Sequence, residues 1–178
     1  MALTLLVGGA RSGKSSLAVR LAGSSGRPVH VVATAEARDE EMAHRIALHQ
    51  AERPSTWVTV EELIGLADVL ERTPPEGCVI VDCLSLWVAN LQGAGWEATR
   101  VEHEAERAAE RAARRSGPTI AVTNEVGLGI VPARALARSY RDLLGRVNAI
   151  WSREAHRAYF VAAGRVLALD TPDGVAVW

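Results

Sequence analysis

A short apolar run spans Leu3 to Val7, and similar runs recur at Pro28 to Ala33, Cys78 to Asp82 and Pro118 to Thr123. Each has the length of a strand, is rich in Val, Ile or Leu, and lacks the apolar–polar alternation of a half-exposed strand. Between them the pattern changes to that of helices, over roughly Lys14 to Ala22, Asp39 to Ala51, Glu61 to Arg72, Leu84 to Leu91 and Glu97 to Arg115. Strands apolar on both faces that alternate with helices predict an α/β fold, a mostly parallel sheet with helices on both faces. Thr56 to Val60 is a further short β-branched stretch, and Arg53-Pro54 and Pro74-Pro75 break the helices before and after it. A long helical region is expected from about Ala133 to Ala155, with an irregularity at Gly145. Tyr159 to Ala162 and Val166 to Leu169 flank Ala163-Gly164, which predicts a C-terminal β-hairpin on the sheet edge.

The 178 residues contain no Pro/Gly/Ser-rich linker, so a single domain over 1–178 is expected. Twenty Lys and Arg against 21 Asp and Glu give a formal charge of −1, which removes any general attraction to nucleic acid or anionic membrane. An anion site must therefore be local. Arg107, Arg111, Arg114 and Arg115 are interleaved with glutamates and lack aromatic neighbours, the pattern of a solvated helix rather than a nucleic-acid surface. Gly77 to Trp96 is nearly uncharged, but Asp82, Asn90 and Gln92 within it fit a buried strand and helix better than a membrane span. Two cysteines, Cys78 and Cys83, at no metal-ligand spacing, and no visible secretory signal lead to the expectation of a cytoplasmic protein.

The most specific stretch is Gly8-Gly9-Ala10-Arg11-Ser12-Gly13-Lys14-Ser15, which fits G-x-x-x-x-G-K-[ST] directly after a strand and before a helix. Glycines let backbone N–H groups turn inward onto a polyphosphate, and the following helix aims its positive end at the same anion. A phosphate-loop (P-loop) nucleotide-binding fold is expected, in which Lys14 would face the β- and γ-phosphates and Ser15 would face Mg²⁺. Asp82, at the end of a buried strand, is the candidate second oxygen donor to the metal, and it is equally placed to cap the helix beginning at Cys83 or Leu84.

Met42, Ile46 and His49 share one face of the second helix, and His44 lies on another. An unperturbed imidazole is largely neutral at cytoplasmic pH, and a neutral ring nitrogen can attack a nucleoside triphosphate to form a phosphoramidate. Spacing alone does not choose between the two histidines, nor between a nucleophile and a core or capping residue. Arg134, Arg138 and Arg141 also share a face and suit a second phosphate or a neighbouring subunit; Glu61 and Glu62 suit a ribose, a metal or a helix's first turn. Asn124-Glu125-Val126-Gly127-Leu128-Gly129-Ile130-Val131-Pro132 is a polar, glycine-bearing turn at a strand's C-terminal end, where open α/β sheets place ligands.

Three blocks taken together resemble the bifunctional adenosylcobinamide kinase/adenosylcobinamide-phosphate guanylyltransferase family of cobalamin biosynthesis. They are the phosphate loop; Asp39 to Ile46 with His49 and Arg53-Pro54; and Val122 to Gly127 running on to Gly129-Ile130-Val131-Pro132, with Arg146-Val147-Asn148 extending the match. The resemblance implies two reactions. ATP or GTP phosphorylates the aminopropanol hydroxyl of adenosylcobinamide, and GTP then donates GMP to that phosphate through a guanylylated histidine. The pattern R-I-x-x-H-x-x-x-R-P assigns that role to His49 rather than His44. It also implies nucleotide contacts at Ala33, Thr34 and Ala35, at Gln50, Ala51, Glu52 and Arg53, at Glu61 and near Asp82. A homotrimer with the corrinoid between subunits is implied as well. Two other functions fit the loop alone: a kinase of another small molecule, and a non-enzymatic nucleotide switch. No N-K-x-D motif is present to explain a guanine preference.

Overall fold

The computed structural model describes residues 3–37, 39–51 and 53–171, without the side chains of Glu41 and Arg45. In chain order the elements are β1 (Leu3–Gly8), α1 (Lys14–Gly23), β2 (Val29–Ala33), α2 (Glu40–Ala51), β3 (Val58–Glu61), α3 (Leu66–Arg72) and β4 (Cys78–Asp82). They continue with α4 (Leu84–Gly93), α5 (Ala98–Arg114), β5 (Thr119–Asn124), α6 (Ala135–Glu154), β6 (Arg157–Ala162) and β7 (Arg165–Leu169). One seven-stranded sheet has the order β3-β2-β4-β5-β1-β6-β7. Every pairing is parallel except that of β6 with β7, which form the expected hairpin.

The period of two along each strand divides the sheet between two cores. Leu3, Leu5, Val7, Val79, Val81 and Ala121 pack under α3 to α6, where Trp87 and Trp151 are fully buried. Leu6, Val31, Ile80, Ile120 and Val122 face the opposite way onto Ala18 and Ala22 of α1. Each large apolar side chain sequestered in this way stabilises the fold by about 1.5–3 kcal/mol. The layers are thus unequal, with one helix-rich face and one covered chiefly by α1.

Two expected elements change on inspection. Glu61 does not begin a helix: it ends β3 in register with Ala33, and the Glu62 carboxylate accepts the N–H groups of Ile64 and Gly65 at 2.9 and 2.8 Å before α3 starts. Acidic residues in a row looked like a helix's first turn, but the turn that Glu62 supports precedes the helix. The helix α6 runs through Gly145 without interruption, because that glycine is exposed while Leu143, Leu144 and Val147 around it are anchored in the core.

Arg115 also departs from the solvated reading. Its guanidinium is buried and donates to four carbonyls, Leu70 and Thr73 at 2.9 and 3.0 Å and Pro74 and Gly77 at 2.7 and 3.1 Å. It ties the end of α3 to the start of β4. The helix before it, α5, presents the expected charged face, with Arg107 paired to Asp68 and Arg111 to Glu71. Among the described residues no helix is long and apolar enough to cross a membrane, and Gly77 to Trp96 divides into β4 and α4.

Candidate functional site

Because the central strands are parallel, their C-terminal ends lie at one edge of the sheet, and the loops leaving β1, β2, β4 and β5 meet there. They enclose a cavity of about 650 Å³. Its floor is the phosphate loop from Ala10 onward together with Ser15; its walls include Ala33, Ala35, Asp82, Cys83 and Asn124, with residues of α2 completing the lining.

Backbone geometry explains the glycines at the floor. Gly13 caps α1 at φ 101°, a region that L side chains rarely enter, and the first turn of α1 directs its free N–H groups into the loop. Gly8 is the last residue of β1, and a Cβ there would sit 2.1 Å from the carbonyl oxygen of Val161 in β6. The hairpin turn Ala163-Gly164, with φ of 51° and 74°, reaches the loop from the other side: the Gly164 N–H donates to the Ser12 carbonyl at 2.9 Å. The hairpin therefore braces the loop.

Lys14 is buried, and its ammonium donates to the carbonyls of Gly8 and Gly9 at 2.9 and 2.6 Å and to Ser12 Oγ at 3.3 Å. Burial pushes its pKa below the ordinary lysine value, and the nearby Cys83 and Asp82 partly oppose that fall. Asp82 does not cap α4, whose first position is preceded by Cys83 with no side-chain cap. Instead its Oδ2 accepts from Arg53 at 3.0 Å, and both side chains are largely enclosed. Arg53 thus fastens the end of α2 to the end of β4.

The three α2 residues Met42, Ile46 and His49 all line the cavity, so their shared face is turned towards the phosphate loop. His44 is exposed and does not line it. Gln50, Arg53 and Glu61 are also on the wall. Thr34 is not: it is fully buried, donating through Oγ1 to the Cys83 carbonyl at 2.7 Å and accepting the Cys83 N–H at 2.9 Å. Asn90 supports the same junction by donating to the Thr34 carbonyl at 2.8 Å. The expected contact at Thr34 is thus a brace between β2 and β4. Ala51 lies off the wall, and Glu52 lies outside the described residues. Arg134, Arg138 and Arg141 stand away from the cavity; Arg138 folds back onto the carbonyls of Pro132 and Ala133, and Arg141 pairs with Asp142.

Cys83 and Asn124 are wall residues that spacing did not single out as contacts. The Cys83 thiol lies 3.0 Å from Ser85 Oγ, and burial together with the Asp82 charge pushes its pKa up, which keeps it protonated. The usable signal for Asn124 was its place at the end of a buried strand, before a glycine-bearing turn.

A loop rich in N–H donors, a lysine, two oxygen donors and an imidazole on one cavity make a site for a nucleoside triphosphate. Comparison with known proteins agrees. The family model described as cobinamide kinase / cobinamide phosphate guanyltransferase matches residues 4–169. The chain is 43% identical over 166 residues to the bifunctional adenosylcobalamin biosynthesis protein CobP of Pseudomonas aeruginosa, covering 93% of this chain and 95% of that one. It is 35% identical over 175 residues to the bifunctional adenosylcobalamin biosynthesis protein CobU of Escherichia coli K12, covering 91% and 96%. Among solved structures, a KaiC-like protein from Pyrococcus horikoshii OT3 superposes with a TM-score of 0.54 at 15% identity over 89% of this chain and 70% of that one. A type III secretion ATPase gives 0.57 at 11% identity over 94% and 56%, and both share the fold alone. By the extent of these matches, the chain belongs to the cobinamide kinase / cobinamide phosphate guanyltransferase family.

Proposed function

We propose that the protein, acting as a single domain, phosphorylates adenosylcobinamide with ATP or GTP. It then transfers GMP from GTP to the resulting phosphate through His49. The observation that carries this reading is that the phosphate loop and the His49 face of α2 line one cavity.

In the first reaction the loop N–H groups and the start of α1 hold the β- and γ-phosphates, and the Lys14 ammonium exchanges its loop carbonyls for phosphate oxygens. The substrate hydroxyl attacks the γ-phosphorus, and the bond to the bridging oxygen breaks as the diphosphate leaves. Positioning and charge neutralisation supply most of the acceleration, because the transferring group is loose and needs little covalent help. In the second reaction a His49 ring nitrogen attacks the α-phosphorus of GTP and pyrophosphate leaves. The cobinamide phosphate then attacks that phosphorus, the P–N bond breaks, and the imidazole is regenerated with adenosylcobinamide-GDP as product.

Ser15 and Asp82 would hold Mg²⁺. The fit rests on donor chemistry: a hydroxyl and a carboxylate are hard oxygen donors, and Asp82 Oδ1 has no protein partner among the described residues. A cation that keeps most of its shell for water and phosphate needs only a few such ligands. When bound with the triphosphate, it supplies charge neutralisation at the phosphoryl oxygens. Nucleotide contacts at the loop from Gly8 to Ser15, at Ala33 and Ala35, at Gln50 and Arg53 and at Glu61 complete the reading. So do a cytoplasmic location and assembly into a homotrimer around the corrinoid.

Incubation with α-labelled GTP tests the central step. An acid-labile, base-stable label on the protein, absent from His49→Ala, is the expected result. An unlabelled wild-type protein would refute transfer through the enzyme and leave a kinase.

A further inference from the structure

The proposed roles leave Asn124, a polar residue on the cavity wall, unused, and its surroundings are built to hold it. Asn124 ends β5 directly beside Gly8, the first glycine of the phosphate loop, in the ladder register. Its backbone is fixed on two sides: its carbonyl accepts from Asn148 Nδ2 at 3.0 Å, and the next N–H, of Glu125, donates to the Gly8 carbonyl at 3.1 Å. Asn148 is itself oriented by Thr123 Oγ1, which donates to its Oδ1 at 2.7 Å.

The Asn124 side chain is fixed as well. Nδ2 donates to Ser85 Oγ at 3.1 Å, Ser85 Oγ contacts the Cys83 thiol at 3.0 Å, and Tyr140 donates its hydroxyl to the Ser85 carbonyl at 3.0 Å. Oδ1 accepts nothing from the protein among the described residues. A pinned amide with a free acceptor oxygen thus stands on the cavity wall, in ladder register with Gly8, whose carbonyl holds Lys14.

We propose that Asn124 Oδ1 accepts the hydrogen bond of the hydroxyl that receives the phosphoryl group and orients it for attack. This rests on the phosphoryl-transfer reading above. A neutral acceptor suits this role, since a loose transition state needs the nucleophile aimed rather than deprotonated early, and a carboxylate there would repel the γ-phosphate. The hydroxyl oxygen forms the new bond to the γ-phosphorus, the bond to the bridging oxygen breaks with ADP leaving, and the hydroxyl proton passes to water.

The test measures cobinamide phosphorylation with ATP and, separately, GMP-adduct formation from GTP, in wild type, Asn124→Ala and Asn124→Asp. In both variants kcat for phosphorylation is expected to fall about 10- to 100-fold, with KM for ATP within about twofold and the adduct rate unchanged, because the attack on the α-phosphorus uses a different nucleophile. Asn124→Asp fills the same volume and decides the matter if the alanine variant does not fold. Phosphorylation at the wild-type rate in either variant, or equal loss of both reactions, would overturn the assignment. A wild-type protein that does not phosphorylate cobinamide would instead overturn the functional reading itself.

Discussion

Replacing Gly8 by alanine tests whether the phosphate loop owes its shape to the closeness of β1 and β6. The added Cβ would lie 2.1 Å from the Val161 carbonyl oxygen and 3.2 Å from Ser12 Oγ. A carbon–oxygen contact relaxes only at about 3.3 Å, so the two backbones must part by roughly 1.2 Å. Neither side is a flexible side chain that can turn away. Overpacking of this kind costs about 1–3 kcal/mol, and a clash between two backbones belongs at the upper end. For a chain of this size about 3 kcal/mol lowers Tm by roughly 6–12 °C. Gly9→Ala is the control, since a Cβ there meets nothing within 4 Å and its stability should change by no more than about 0.5 kcal/mol. Thermal unfolding of the two variants beside wild type gives the answer. If Gly8→Ala melts with wild type, or Gly9→Ala falls as far, the close approach does not shape the loop.

Lys14 gives a pH dependence. Its folded pKa is lowered by burial, so over a window below the usual lysine value the folded protein has released a proton that the unfolded chain still holds. Stability therefore rises with pH across that window, whereas triphosphate binding, which needs the ammonium, weakens and must take up a proton. Calorimetry with ATP in alkaline buffers of different ionisation enthalpy should register that uptake in wild type and not in Lys14→Ala, which should also be impaired in both half-reactions; equal proton balance in the two proteins would refute the assignment. Arg115→Ala removes four hydrogen bonds to carbonyls, three of them buried, and should destabilise by about 3–5 kcal/mol, read by denaturant unfolding, while a loss below about 1 kcal/mol would mean the carbonyls find other partners.

The central strands were legible because a parallel sheet buried on both faces leaves a dominantly apolar signature, interrupted only by Thr4 in Leu3 to Val7 and by nothing in Cys78 to Val81. The phosphate loop was legible because its glycines answer a local backbone demand. Glu62 misled because a carboxylate that serves N–H groups looks alike in sequence whether those groups open a helix or close a turn before one, and Glu61 beside it belongs to β3. Arg115 misled because its partners are carbonyls about forty residues away, and no spacing rule connects them. The face of α2 was readable from periodicity, but the meeting of His49 with the loop on one cavity depends on where the fold places α2, which is a tertiary fact. The bracing role of Thr34 and Asn90 likewise left no mark in the sequence.

The contact between Gly164 and Ser12 has a temporal side. The nucleotide cradle is encoded in the opening residues, yet one of its struts comes from the last hairpin. On a ribosome, every element through α6 emerges before β6 can slot in beside β1. The loop therefore gains its Gly164 strut only after β6 and β7 have been made.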